Sequence, residues 1–147
     1  MAKVLIAYAT LGGATRDIAE YIAEGVRFTG VEAKVVEAAK LQKEDDLQGY
    51  DGYVFGSATY HGEMMMPMKT LLFLAAKTNL EGKVGGSFGS YGWSGEAPDR
   101  IYETMEHILK MSMVGTPLRL KSAVLQGGPR MAQDYGREIG RRITEKQ

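Results

Sequence analysis

Residues 3–22 read KVLIAYATLGGATRDIAEYI, and this stretch decides the fold. Its first seven residues are a β-branched and aromatic run with no polar alternation, the pattern of a strand buried on both faces. The turn TLGGAT follows. From residue 14 to 28 the period changes to that of a helix: Ile18, Tyr21, Ile22, Gly25 and Val26 fall on one face, with Asp17, Glu20 and Arg27 largely off it. A buried strand feeding an amphipathic helix is half of a βαβ unit, so the rest of the chain is expected to repeat that plan.

It does. VEAKVVE (31–37) reads as a second strand, and a polar patch, KLQKEDDLQGYD (40–51), separates it from a third, GYVFGSA (52–58). Pro67 suits the first turn of a helix, where its missing N–H costs nothing, so PMKTLLFLAAK (67–77) is the second helix. KVGGSFGSYG (83–92) is the fourth strand and APDRIYETMEHILKMS (97–112) the third helix. LRLKSAVLQG (118–127) is the fifth strand, and MAQDYGREIGRRITEK (131–146) closes the chain as the fourth helix. Five strands alternating with four helices predict an α/β protein whose parallel sheet is covered on both faces, as one domain over 1–147. No repeat, linker or low-complexity segment interrupts it.

Composition narrows the chemistry. Lysine plus arginine equals aspartate plus glutamate, 18 each, so no net field draws the chain to nucleic acid. There are no cysteines, which excludes disulfides, a thiolate nucleophile and cysteine-held clusters, and only two histidines, His61 and His107, which argues against a histidine metal site. No metal is expected. Neither a long apolar run nor a cleavable leader is evident, so a soluble cytoplasmic protein that does not engage membranes is expected. Any redox chemistry must come from a bound organic cofactor.

In open parallel sheets ligands sit at the carboxyl ends of the strands. Three loops qualify: TLGGAT (10–15), SATYHGEM (57–64) and SYGWSGEA (90–97). All are rich in glycine, hydroxyls and aromatics, and none pairs an acid with a base, so no catalytic residue is assigned. Such loops suit the holding of a flat, phosphorylated molecule. In the first, glycines let backbone N–H groups approach an anion at a helix N-terminus, and Thr10 and Thr15 offer hydroxyls. The alternative is a plain turn that Thr15 merely caps. The loop lacks the lysine of a P-loop and a full G-x-G-x-x-G pattern. In the second, Thr59, Tyr60, His61 and Gly62 either line a planar ring or pack as ordinary loop residues. In the third, the sole tryptophan, Trp93, stands among Gly92, Ser94 and Gly95, where small neighbours leave amides and an indole free to face a ligand.

Together the T-x-x-G-x-T turn after strand one, GSATYHG after strand three and FGSYGWSGEA after strand four resemble a flavodoxin of the short-chain type. The likeness is greatest to the flavodoxin domain of A-type flavodiiron proteins. It runs over essentially the whole chain, and the third loop is its most specific part. The resemblance implies a three-layer αβα sandwich with strand order 2-1-3-4-5, and FMN as the cofactor. Thr10, Leu11, Gly12, Gly13, Ala14 and Thr15 would hold the phosphate. Ala58, Thr59, Tyr60, His61 and Gly62 would run along one side of the isoalloxazine. Ser90, Tyr91, Gly92, Trp93, Ser94 and Gly95 would run along the other, with Trp93 and Tyr60 stacking. It also implies an electron carrier between a donor and an acceptor protein, not an enzyme. The alternative is an FMN enzyme on the same fold, such as a quinone reductase or a protoporphyrinogen-oxidising flavoprotein.

The sequence departs from the pattern in places. Gly12, Gly13 and Ala14 stand where many flavodoxins have a hydroxyl residue, glycine and asparagine, and Ala58 replaces a serine found in some. Backbone N–H groups must then do more of the work. The chain is neutral where the family tends to be acidic, and 147 residues leave no room for a diiron domain. A response-regulator-like module shares the five-stranded plan, but needs acidic residues where this chain has Thr10, Leu11 and Ser57. Outside the loops, Met64, Met65, Met66 and Met68 serve either partners or helix packing. Met111 and Met113 read as core, His107 as a solvated residue, and the basic GRRITEK (140–146) as charge suited to a helix C-terminus.

Overall fold

The computed structural model describes residues 2–10, 12–90, 95–121 and 127–146. In chain order the elements are β1 (Lys3–Ala9), α1 (Ala14–Phe28), β2 (Glu32–Glu37), β3 (Gly52–Ser57), β4 (Thr59–Tyr60), β5 (Glu63–Met64), α2 (Met66–Ala76), β6 (Val84–Ser90), α3 (Glu96–Glu103), β7 (Ser112–Met113), β8 (Leu118–Leu120) and α4 (Gly128–Glu145). Two short 3₁₀ turns, Ala38–Lys40 and Glu44–Leu47, fill the polar patch after β2.

The sheet is parallel. β1 lies between β2 and β3, with Lys3 opposite Glu32 and Val4 opposite Gly52. β6 follows β3, with Gly52 opposite Val84. Every residue of β3 and β6 is buried, and edge strand β2 alternates between half-buried and exposed, as its position requires. α1 and α4 cover one face over Val4, Ile6, Val54 and Phe88, while α2 and α3 cover the other over Leu5, Ala7, Tyr53 and Phe55. This is the three-layer sandwich, in the expected strand order.

The fifth strand position departs from the expected single run. It is shared by β7, opposite Val84 and Gly85, and β8, opposite Phe88 to Ser90. Between them Gly115 adopts φ +58°, and Pro117 has no N–H to give a ladder, so the chain leaves the sheet for four residues. The gap would strand the Ser87 N–H. The Tyr135 hydroxyl enters from α4, accepts that N–H at 2.9 Å and reaches the Val114 carbonyl at 3.5 Å. A Cβ on Gly86 would stand 2.7 Å from the phenol oxygen, so the glycine makes room for it. The remainder of the expected strand, residues 122–126, lies outside the described residues.

Two helix boundaries also differ. The third helix was expected to run from 97 to 112, but α3 passes into a π turn at Thr104–Ile108. There the Leu109 N–H donates to the Thr104 carbonyl at 3.0 Å, and Lys110, at φ +59°, ends the coil. The last helix starts three residues before Met131, with Pro129 in its first turn.

Candidate functional site

The carboxyl ends of β1, β3 and β6 bring the three loops side by side, as their order in the sheet demands. The first runs from Ala9 into α1. Thr15 lies inside the helix and does not cap it: the N-cap is Gly13, at φ +90°, with no side-chain hydrogen bond to the first turn. The first N–H groups of a helix lack intrahelical partners, and among the described residues no side chain caps them. Among the described residues nothing lies within 4 Å of where a Cβ on Gly12 or Gly13 would stand, so none of them fills the cradle. The Gly13 N–H donates to the Thr10 hydroxyl at 3.1 Å, which shapes the turn. Uncapped helical N–H groups beside two open glycines and a hydroxyl form a donor set that fits a phosphate. Leu11 lies outside the described residues; Ala14 is half-buried at the start of α1.

The second loop is more ordered than a loop. β4 and β5 pair as an antiparallel hairpin with Tyr60 opposite Glu63, and His61 and Gly62 form its two-residue turn at φ +51° and +74°. Two successive positive φ values are those of a type I′ turn, whose twist matches that of the strands. The Tyr60 and His61 rings meet edge to face, 4.3 Å between centroids. Tyr60 is 56% exposed, so its ring is available to a flat ligand. Residues outside the expected set anchor the hairpin. The Ser57 hydroxyl accepts the Met65 N–H at 2.9 Å and donates to the Ala58 carbonyl at 2.8 Å. The Glu63 carboxylate lies between Lys69 Nζ at 3.6 Å and Arg100 Nε at 3.7 Å. Nothing in a one-dimensional reading links Glu63 to Arg100, although a serine ending a buried strand was a visible signal.

The third loop leaves β6 at Ser90 and returns at Gly95, the N-cap of α3. Tyr91, Gly92, Trp93 and Ser94 lie outside the described residues. Hydrogen bonds fasten the ends of this loop to both others. The Ser90 hydroxyl meets the Thr15 hydroxyl at 2.7 Å, with both residues buried. The Ala97 N–H donates to the Thr59 hydroxyl at 3.1 Å. The expected residues of all three loops that are described, from Thr10, Gly12–Thr15 and Ala58–Gly62 to Ser90 and Gly95, therefore share one end of the sheet.

The methionine cluster divides. Met68 and Met64 are buried on the α2 side of the sheet and Met65 packs against them, while Met66 is exposed. Met111 is in the core and Met113 packs on it, and His107 is exposed beside Glu106. Among the described residues no group of three or more histidine or acidic side chains is placed to hold a metal. No helix is long and apolar enough to cross a membrane among the described residues.

Residues 6–135 match the family model of flavodoxins. A flavodoxin from the domain Archaea superposes with a TM-score of 0.89 at 30% identity, covering 97% of this chain and 99% of that one. The type A flavoprotein fprA of Rhodobacter capsulatus is 32% identical over 151 residues, covering 97% of this chain and 32% of its own length. An anaerobic nitric oxide reductase flavorubredoxin of Pectobacterium carotovorum is 30% identical over 146 residues, 95% of this chain and 28% of its own length. The chain thus spans no more than about a third of these two curated relatives.

Proposed function

The chain belongs to the flavodoxin family, whose members bind FMN, and from that premise we propose that it holds FMN across its three loops and carries electrons between redox partner proteins. The observation that carries this reading is the fastening of the loops. The Thr15–Ser90 and Ala97–Thr59 bonds tie the phosphate-type cradle, the aromatic hairpin and the tryptophan loop into one cleft end. FMN supplies the redox chemistry when bound; the chain's residues bind and orient it. In this reading the α1 N-terminus with the turn Thr10, Leu11, Gly12, Gly13, Ala14 and Thr15 takes the phosphate. Tyr60 and Trp93 take the faces of the isoalloxazine, and His61, Gly62, Ala58 and Thr59 flank its edge.

The test begins with the absorption spectrum of the purified protein and identification of the flavin released by acid. The photoreduced protein is then mixed with a one-electron acceptor protein. Release of FMN, with electron delivery to the acceptor and no sustained turnover of NADH or quinones, is the expected result. Riboflavin or no flavin would sink the cofactor assignment. Rapid quinone turnover would replace the carrier with an enzyme on the same fold.

A further inference from the structure

Two hydroxyls from different loops of the cleft satisfy each other inside the protein. Thr15, on the first turn of α1, is fully buried, and Ser90, the last residue of β6, is 7% exposed. Their oxygens lie 2.7 Å apart although 75 residues separate them in sequence, and either one is able to donate. A hydroxyl has a single proton, so the direction of this bond is open until a third group fixes it. Ser90 also heads the loop that carries Trp93.

The geometry points to Ser90 as a positioning residue that acts on the phosphate through Thr15, a role that rests on the proposed FMN site. In that site Thr15 is one of the groups assigned to the phosphate, and its proton would turn from Ser90 to the anion, because a bond to a charged acceptor is about twice as strong as a neutral one. Thr15 then has only lone pairs left for Ser90, and Ser90 must become the donor. The chain runs one way, Ser90 O–H to Thr15 O–H to phosphate, and each link polarises the next. Ser90 thereby favours the phosphorylated ligand without touching its phosphate. Binding also locks the end of β6 to the start of α1, so the residue that heads the tryptophan loop is held most firmly when the phosphate is present.

The decisive measurement compares FMN with riboflavin. Full-length protein freed of flavin by acid is titrated with each ligand for the wild type, Thr15→Ala, Ser90→Ala and the double variant. Ser90→Ala is expected to lower the preference for FMN over riboflavin, the ratio of the two affinities, by about two- to twelvefold, the scale of one hydrogen bond. In the double variant the preference should be no lower than in Thr15→Ala alone, because Ser90 has no route to the phosphate once Thr15 is gone. An unchanged preference in Ser90→Ala, or losses that multiply in the double variant, would overturn the relay. Far-UV circular dichroism and the urea midpoint of each flavin-free variant report whether it retains the fold. A wild type that binds both ligands equally would instead sink the phosphate reading of the cradle, which is a separate failure.

Discussion

Tyr135 occupies the place in the sheet where a strand is missing. Its phenol takes the N–H that a fifth strand would have taken at Ser87, and burial pushes its pKa well above the ordinary value of 10.0. Tyr135→Phe leaves a buried N–H without an acceptor and is expected to cost about 1–3 kcal/mol in urea unfolding at pH 8. The sign of the pH effect follows from the raised pKa. The native state holds the proton more tightly than the unfolded state, so this stability is fully present below pH 10 and is lost as pH rises through the native value. The gap between wild type and Tyr135→Phe should therefore narrow above pH 10; a constant gap would show that the phenol does not titrate differently on folding. A second residue-scale prediction concerns Trp93. As the only indole in the chain, it should lose most of its fluorescence on saturation with FMN if it stacks on the ring. Unchanged emission would remove it from the site.

The hairpin of β4 and β5 is the element on which the site departs furthest from a sequence reading. A run of hydroxyls, aromatics and glycine reads as loop, and only the pairing of Tyr60 with Glu63 reveals a turn. His61 is a poor residue for it, since a side chain at φ +51° crowds its own backbone by roughly 1–2 kcal/mol. Asparagine tolerates that conformation, and Asn-Gly is the preferred pair for this turn type. His61→Asn should accordingly raise the urea midpoint of the flavin-free protein, with a gain of about 0.5–1 kcal/mol. A lowered midpoint would mean that the edge-to-face contact with Tyr60 outweighs the strain. The phosphate cradle makes the opposite kind of test. Gly12→Ala meets open space, so stability should stay within about 0.5 kcal/mol while the added methyl obstructs the cradle and weakens FMN binding. Equal FMN affinity in that variant would place the phosphate elsewhere.

Across the whole molecule, stability depends on how closely α1 and α4 approach. A Cβ on Gly136 would lie 2.0 Å from the Ile22 carbonyl oxygen, and one on Gly25 would lie 1.9 Å from that of Gln133. Backbone meets backbone there, and no flexible side chain is able to yield. Gly136→Ala must separate the helices and is expected to cost about 2–3 kcal/mol, seen as a lowered midpoint with an unchanged dependence on denaturant. A variant as stable as the wild type would mean that the helix pair shifts freely. Ligand binding adds to the same balance: FMN at a hundred times its Kd should stabilise the fold by about 2.7 kcal/mol, read as a rise in Tm that grows with FMN concentration.

The sequence by itself determined the alternation of buried strands and amphipathic helices, the face α1 buries, and the three loops that carry glycine, hydroxyls and aromatics. These are local properties: periodicity and turn chemistry act over a few residues, so KVLIAYA and the helix after it announce themselves. The parallel direction of the strands follows from the crossover helices, and it places those loops at one end of the sheet. Only the tertiary structure decided what depends on residues far apart in the chain. The phenol that fills the gap from α4, the glycines between two helices and the bond from Thr15 to Ser90 all have partners tens of residues away. No pattern within one segment encodes such a partner. It is fixed when packing brings the segments together and a buried N–H or hydroxyl must find whatever group stands beside it.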